Sequence, residues 1–500
     1  MRKLFCIAIA LLISTGIAFA QNDEQTTYDF GFRGLSNISD LDAFYDFNSS
    51  GFGAKSKAMG GVHLAFGNDG FSSFLNPATM IYTNKSLMSL DVVNSRDKIA
   101  GNSFMGNCDI DGEHTRLIQA GAVAPFTYLD RDWWFGGSYR TVYDLHYNLI
   151  TPDYNFITLK NNDDTLDIES NVNAEQNRGI DAINVAIAAN PHPNVAMGLN
   201  MNVFIRGYRE NRWLNFAADD YSQADSTDSS ISHQWDKSTF SGINFDLGIL
   251  LDFDMVKAGI TVSTPFTLNQ SVLFLEQPTD DNGIVGFGLY NRLEAKHKFP
   301  MTFAGGLAYM PMENLTVAAD FEHKPFSKIT IDVDLESDLW TDIDNYSPMW
   351  EDLTQMRFGV EYLMDAGFAQ VPLRAGVQNL PGLTKSYSRI VDYTENYIDS
   401  LYVNHDITVQ DSITFGDQLN TYLISFGTGL KFEKIWFDIA YQFGSSEYDP
   451  VEIETYYNSD SYNSPFGPLS DPNGTLNNTV YLNPTKLEYS RLYFSVGMLF

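Results

Sequence analysis

A chain of 500 residues with 63 acidic against 31 basic side chains carries a formal charge of −32, which excludes recognition of nucleic acid or anionic lipid through basic patches. Its two cysteines, Cys6 and Cys108, exclude a disulfide framework. Aromatic residues make up 14% of the chain, yet no long apolar helix follows residue 20, so strands and not helices must make any membrane contact.

The N-terminus runs from Arg2 and Lys3 through LFCIAIALLISTGIAFA to Ala18-Phe19-Ala20, the charged, apolar and small-residue order of a secretory signal peptide over residues 1–20. Cleavage near Gln21 removes Cys6 and leaves Cys108 without an intramolecular partner. Residues 21–85 supply no strand. Within them, Gly53 to Met80 reads GAKSKAMGGVHLAFGNDGFSSFLNPATM, too glycine-rich for a helix and too irregular for a strand. It is not a phosphate loop, because GxxxxGK[ST] is absent and no βαβ pattern follows.

From residue 86 onward the dominant signal is alternation with period two. In NLTVAADFE, Leu315, Val317, Ala319 and Phe321 share one face and Thr316, Ala318, Asp320 and Glu322 the other. In IWFDIAYQF the apolar set is Ile435, Phe437, Ile439, Tyr441 and Phe443, and in the closing LYFSVGMLF it is Leu492, Phe494, Val496, Met498 and Phe500. The pattern predicts fourteen strands, near 86–94, 115–125, 132–145, 179–189, 194–208, 239–253 and 256–265, then 299–309, 314–323, 354–364, 371–378, 421–432, 435–444 and 486–500. Connections alternate between about 2 to 6 and about 20 to 42 residues, the asymmetry of a membrane barrel with short periplasmic turns and long external loops. Ten residues at a rise of ~3.3 Å, tilted by ~45°, span roughly 24 Å, the height of an outer-membrane apolar band. The fold class predicted is therefore an all-β, fourteen-stranded antiparallel transmembrane β-barrel over residues 86–500. Trp133, Trp134 and Trp436 open strands at the periplasmic end, where an aromatic girdle is expected. A large secreted β-sandwich is the alternative.

No catalytic or metal signature stands out. The eight histidines, including His63, His114, His192 and His323, form no HxxxH or HExxH pair, so neither enzymatic activity nor a cofactor is expected. Asp332, Asp334, Glu336 and Asp338 recur at every second residue and could offer hard oxygens to calcium, as could DIDGEH at 109–114; a solvated acidic loop explains both more simply.

The stretch GAKSKAMGGVHLAFGNDGFSSFLNPATM resembles the N-terminal hatch of the FadL/TodX family of outer-membrane transporters for hydrophobic compounds. That pattern runs from small residues and a Met-Gly-Gly turn through an acidic or amide position to Asn-Pro-Ala. Here these are Met59, Gly60, Gly61, Asn68, Asp69, Asn76, Pro77 and Ala78, with Thr79 where the family commonly has Gly. The resemblance implies that residues 21–85 hold a hatch filling the lumen, and that ligand moves from an external apolar site to an opening beside the third strand. That strand contains WWFGGSYR, so the Asn76-Pro77-Ala78 turn is expected near Gly136 and Gly137, as a gate or as plain relief of crowding. The implied function is passive uptake of long-chain fatty acids or aromatic compounds by a monomer of the bacterial outer membrane, with lipid and a hydrophobic small molecule as partners and no nucleic acid. Sister groups of the same fold imply an alternative, a shuttle or docking component of protein secretion; a structural surface protein is a third reading.

Overall fold

A computed structural model describes residues 53–500, except 68, 71, 104–105, 145–146, 151–153, 162–163, 171–172, 177–178, 208, 216, 221–230, 280–288, 336–342, 347–349, 395–407, 448–453 and 458–482. The signal peptide, Asn68, Glu336 and Asp338 lie outside the described residues. Fourteen antiparallel strands form the wall. They are β1 (Leu87–Ser103), β2 (Gly106–Tyr128), β3 (Arg131–Asp144), β4 (Gly179–His192), β5 (Val195–Gly207), β6 (Ile231–Phe253) and β7 (Val256–Ser263). The second half is β8 (Thr302–Met312), β9 (Leu315–Lys324), β10 (Leu353–Asp365), β11 (Gln370–Thr394), β12 (Thr408–Lys431), β13 (Ile435–Glu447) and β14 (Asn483–Leu499). Pairing of β1 with β14, from Leu87↔Leu499 to Asn102↔Asn483, closes the sheet and leaves no edge. Tight turns join strands at one end; between β2 and β3, Leu129 and Asp130 both take positive φ (51° and 55°), the backbone twist a two-residue hairpin favours.

The predicted alternation sorts lipid from lumen. In β13, Ile435, Phe437, Ile439, Tyr441 and Phe443 face outward at 37–48% exposure, while Asp438, Ala440 and Gln442 turn inward and are buried. Transfer of such outward side chains from water to acyl chains contributes about 1.5–3 kcal/mol each, which a soluble sandwich would forfeit. No helix among the described residues is long and apolar enough to cross a membrane. The tryptophan girdle needs correction. Trp134 turns inward and donates Nε1–H to the Thr83 carbonyl at 2.8 Å, and Trp436 shares the inward register of Asp438. The pleat explains this, since of two adjacent tryptophans only one can face lipid. The outward aromatics beside the turns are instead Phe126, Tyr128, Phe253 and Phe368.

Long external connections carry more sheet than alternation predicted. β11 and β12 continue above the apolar belt to Thr394 and from Thr408, and further strands are added among the described residues, Phe266–Thr279, Leu289–Phe299 and Thr330–Leu335 among them. Above the membrane both faces of a strand can be polar, so the period-two signal fades there. Three prolines mark the transition on neighbouring strands. Pro265 follows β7, Pro300 precedes β8 and Pro325 follows β9; each lacks the N–H that a ladder needs. The β7/β8 ladder stops at Ser263↔Thr302 and resumes at Phe266↔Phe299, and the next one stops at Phe303↔His323 and resumes at Lys298↔Thr330.

Candidate functional site

The glycine-rich stretch folds as helix α1 (Gly53–Ala58), a Met59-Gly60-Gly61 turn, a short α2 (Ser72–Leu75) and a 3-10 helix at Pro77–Tyr82. Gly60 and Gly61 take φ of 69° and 84°, a region that side chains other than glycine's disfavour. Asn76 caps the 3-10 helix. Its Oδ1 accepts from Ala78 N–H at 3.1 Å and its Nδ2 donates to the Leu64 carbonyl at 2.7 Å, while Pro77 occupies the first turn, where no N–H is needed. Thr79 closes the same turn by donating its hydroxyl to the Asn76 carbonyl at 2.8 Å. A hydroxyl thus does at this position what a bare glycine could not.

This inner segment bonds to strands all round the wall, which only a position within the lumen permits. Ala54 N–H donates to Ser495 Oγ of β14 at 2.7 Å, and Gly60 N–H to Ser425 Oγ of β12 at 3.0 Å. His63 and Leu64 N–H donate to Asp320 Oδ2 of β9 at 2.7 and 3.1 Å. Gly70 N–H donates to Ser89 Oγ of β1 at 3.0 Å, and Asn200 Nδ2 of β5 donates to the Ser73 carbonyl at 3.1 Å. The wall makes room with glycine. A Cβ at Gly121, Gly259, Gly359 or Gly376 would overlap backbone atoms of the inner segment. Leu64, Met59, Ala58 and Ala78 are at most 1% exposed.

Of the predicted site residues, Met59, Gly60, Gly61, Asn76, Pro77 and Ala78 all sit in this buried segment, and Asp69 accepts from Ser72 through its carbonyl at 3.0 Å. The turn, however, does not lie at β3. Asn76 and Pro77 pack on Gly198 of β5 and Gly248 of β6, whereas Gly136 faces Ser73 and Met80. Pairing is unbroken at Gly136 (Val123 on one side, Ala186 on the other) and at Gly137 (Ala122 and Val185). Of the calcium candidates, Asp332 and Asp334 lie on the outer extension, with Asp332 bound to Lys298 Nζ at 2.6 Å. DIDGEH belongs to β2 and not to a loop. Among the described residues no cluster of three or more His, Cys, Asp or Glu side chains is placed to hold a metal.

Above the inner segment lies a cavity of about 140 Å³, floored by His63, Leu64, Phe74 and Leu75. It abuts the proline breaks, with Thr264, Pro300 and Lys324 in its lining. One wall is aromatic. Phe266 stacks between Phe204 (ring centroids 5.1 Å apart, planes at 7°) and Phe299 (4.9 Å, 8°), and Phe326 meets Phe299 edge-on at 5.5 Å. Beside it the lining is polar, with Arg140, Asn202, Asn244 and Asp246. Asn202 Nδ2 donates to Asn244 Oδ1 at 2.8 Å and to Asp246 Oδ2 at 2.7 Å. Toward the outer end, the Phe stack continues into one apolar cluster that includes Ile180, Phe240, Leu268, Ile331, Trp350 and Leu383, contributed from across the lumen. No part of this cavity was legible in the sequence, because Phe204, Phe266, Phe299 and Phe326 come from four separate segments with no shared motif.

No protein-family model and no curated relative match this chain. Solved structures do. It is similar to the Pseudomonas putida toluene transporter TodX (14% identity, TM-score 0.52, covering 90% of this chain and 98% of that one). It is also similar to the deltaS2S3 mutant of the TodX monoaromatic hydrocarbon channel (15%, 0.56, 91% and 100%) and to the Ralstonia pickettii toluene transporter TbuX (13%, 0.50, 91% and 100%). At such identities the likeness is one of fold, and it is the fold that the FadL/TodX resemblance implied. A closed antiparallel barrel with an apolar exterior belongs in the bacterial outer membrane.

Proposed function

We propose that the protein is a passive outer-membrane channel for small hydrophobic compounds, with the inner segment as its plug. The observation that carries this is the aromatic-walled cavity above the plug, whose phenylalanines continue into the apolar cluster toward the outer end. A ligand descending its gradient exchanges water for this cluster, then for the Phe204, Phe266 and Phe299 rings, and no covalent step is needed. Size favours the smaller of the two compound classes considered. A cavity of ~150 Å³ lined by apolar side chains accommodates benzene, so the 140 Å³ here suits a single ring better than a long acyl chain. Docking for secretion would require a broad apolar patch on the external loops. Most large exposed apolar side chains of the described residues lie instead on the outward register of the wall strands.

Ala304 of β8 lines the cavity, and Ala304→Phe should fill it at an overpacking cost of about 1–3 kcal/mol. Toluene uptake by expressing cells should fall about tenfold. Unchanged uptake by an assembled Ala304→Phe barrel would exclude the cavity as the route.

For the exit, the resemblance implies passage beside β3. The ladders are closed there, so strands would have to part. Gly137→Val is the clean probe, because its Cβ meets only the Asn184 carbonyl at an ordinary 3.5 Å. If ligand leaves at this point, the variant should slow uptake several-fold without altering ligand binding; full-rate uptake places the exit elsewhere.

A further inference from the structure

We infer that the cavity takes a neutral, hydroxylated single-ring aromatic, a phenol, in preference to an unsubstituted hydrocarbon or an aromatic anion. This deepens the channel reading and rests on it. The ring is specified by the aromatic wall. Phe204, Phe266 and Phe299 stand parallel within 7–8° with Phe326 edge-on to the last; their inner faces are taken by one another, so a ligand ring meets this wall through ring edges and end faces, contacts that favour an aromatic ring over a flexible alkyl chain.

A hydroxyl is specified by the rest of the lining. Asn202, Asn244, Thr261, Ser263, Thr264 and Thr302 all border the same small space. Asn202 bonds to Asn244 and Asp246, Thr261 donates to the Leu75 carbonyl and Thr264 accepts from Phe245 N–H. A plain hydrocarbon would therefore meet only the capacity these groups keep beyond those bonds and leave it unused, whereas a phenolic O–H both donates and accepts. Charge argues against an anion. The lining holds Arg140 and Lys324 against Asp246 and Glu322, so its formal charges cancel. Glu322 Oε1 lies 3.3 Å from Lys324 Nζ, and Glu322 Oε2 also meets Arg357; Arg140 lies on the Phe74 ring, 3.0 Å from its centroid, and within the field of Asp246. A carboxylate entering would compete with Asp246 and Glu322 for these cations. A phenol, which like tyrosine ionises near pH ~10, enters uncharged at pH 7.

The test is competition against labelled p-cresol on the purified full-length barrel, using unlabelled p-cresol, toluene and 4-methylbenzoate, three probes of one ring size. p-Cresol should bind about tenfold more tightly than toluene, the factor that one well-placed hydrogen bond supplies, and more tightly than 4-methylbenzoate. In Ser263→Ala/Thr302→Val the preference over toluene should shrink to about twofold with toluene binding kept, while Thr302→Ser should retain it. Toluene binding as well as p-cresol would overturn the hydroxyl inference and leave the channel reading standing. Tighter binding of 4-methylbenzoate would overturn neutrality. If none of the three competes on a folded barrel, the inference falls together with the channel reading.

Discussion

A valine at position 376 should unseat the inner segment, the proposed plug, and turn the barrel into an ion-conducting pore. A Cβ at Gly376 would fall on the Gly60 amide nitrogen and the Met59 carbonyl carbon, and these are backbone atoms that no rotamer change can move aside. Gly60 has nowhere to retreat, since it already takes a positive φ, bonds to Ser425 Oγ at 3.0 Å and is packed under the Val377 backbone. The wall itself is held by pairing of Gly376 with Gly359 and Ser425 on either side, so the less constrained partner, the plug, must shift. A fourteen-stranded lumen without its filling is wide enough for water, and conductance in planar bilayers should rise about tenfold or more. Gly305→Val is the matched control, because nothing lies nearer than 4.0 Å to its Cβ. A Gly376→Val barrel that assembles yet conducts like the parent would show that the plug is not seated at this point.

Asp320→Ala should loosen the same plug from a site two strands away and lower stability by about 3 kcal/mol. The Asp320 side chain is fully buried on β9, and its Oδ2 accepts from two consecutive plug amides, those of His63 and Leu64, at 2.7 and 3.1 Å. Removal leaves both N–H groups buried without an acceptor and takes away the carboxylate facing Arg357 on the neighbouring strand. Asp320→Asn keeps one acceptor oxygen and should lose about half as much. Thermal unfolding of the purified barrel reads the cost, and protease cleavage within residues 53–83 reads the release of the plug. A variant with parental melting and an uncut plug would remove Asp320 from the anchoring role.

Both predictions turn on residues that the sequence presents in another light. Asp320 reads as one polar partner in NLTVAADFE, and its inward side was legible from alternation, but nothing local says that its carboxylate meets residues 63 and 64. Gly376 and Gly359 carry no local sign of what they face. Gly136 and Gly137 are adjacent in the chain, but the pleat turns one inward and the other outward, so only Gly136 meets the inner segment. The turn expected beside them lies two and three strands further round, on Gly198 and Gly248. That distance depends on how the plug winds through the lumen, which no spacing in the plug sequence encodes.

Alternation is a local property. Each strand carries its own lipid-facing and lumen-facing sets, so the barrel class, the strand count and the outward register of segments such as IWFDIAYQF could be read without knowing any neighbour. The Asn76-Pro77 cap is equally local, closed within four residues. The cavity and the plug seat are not. Pro265, Pro300 and Pro325 are separated by 35 and 25 positions, and they become one weakened zone only when β7, β8 and β9 stand side by side. Phe204, Phe266, Phe299 and Phe326 come together only once the register of the sheet is set. Side-chain period is decided residue by residue, whereas inter-strand register and the path of the plug are decided by the whole closed sheet at once, and the site belongs to the second kind.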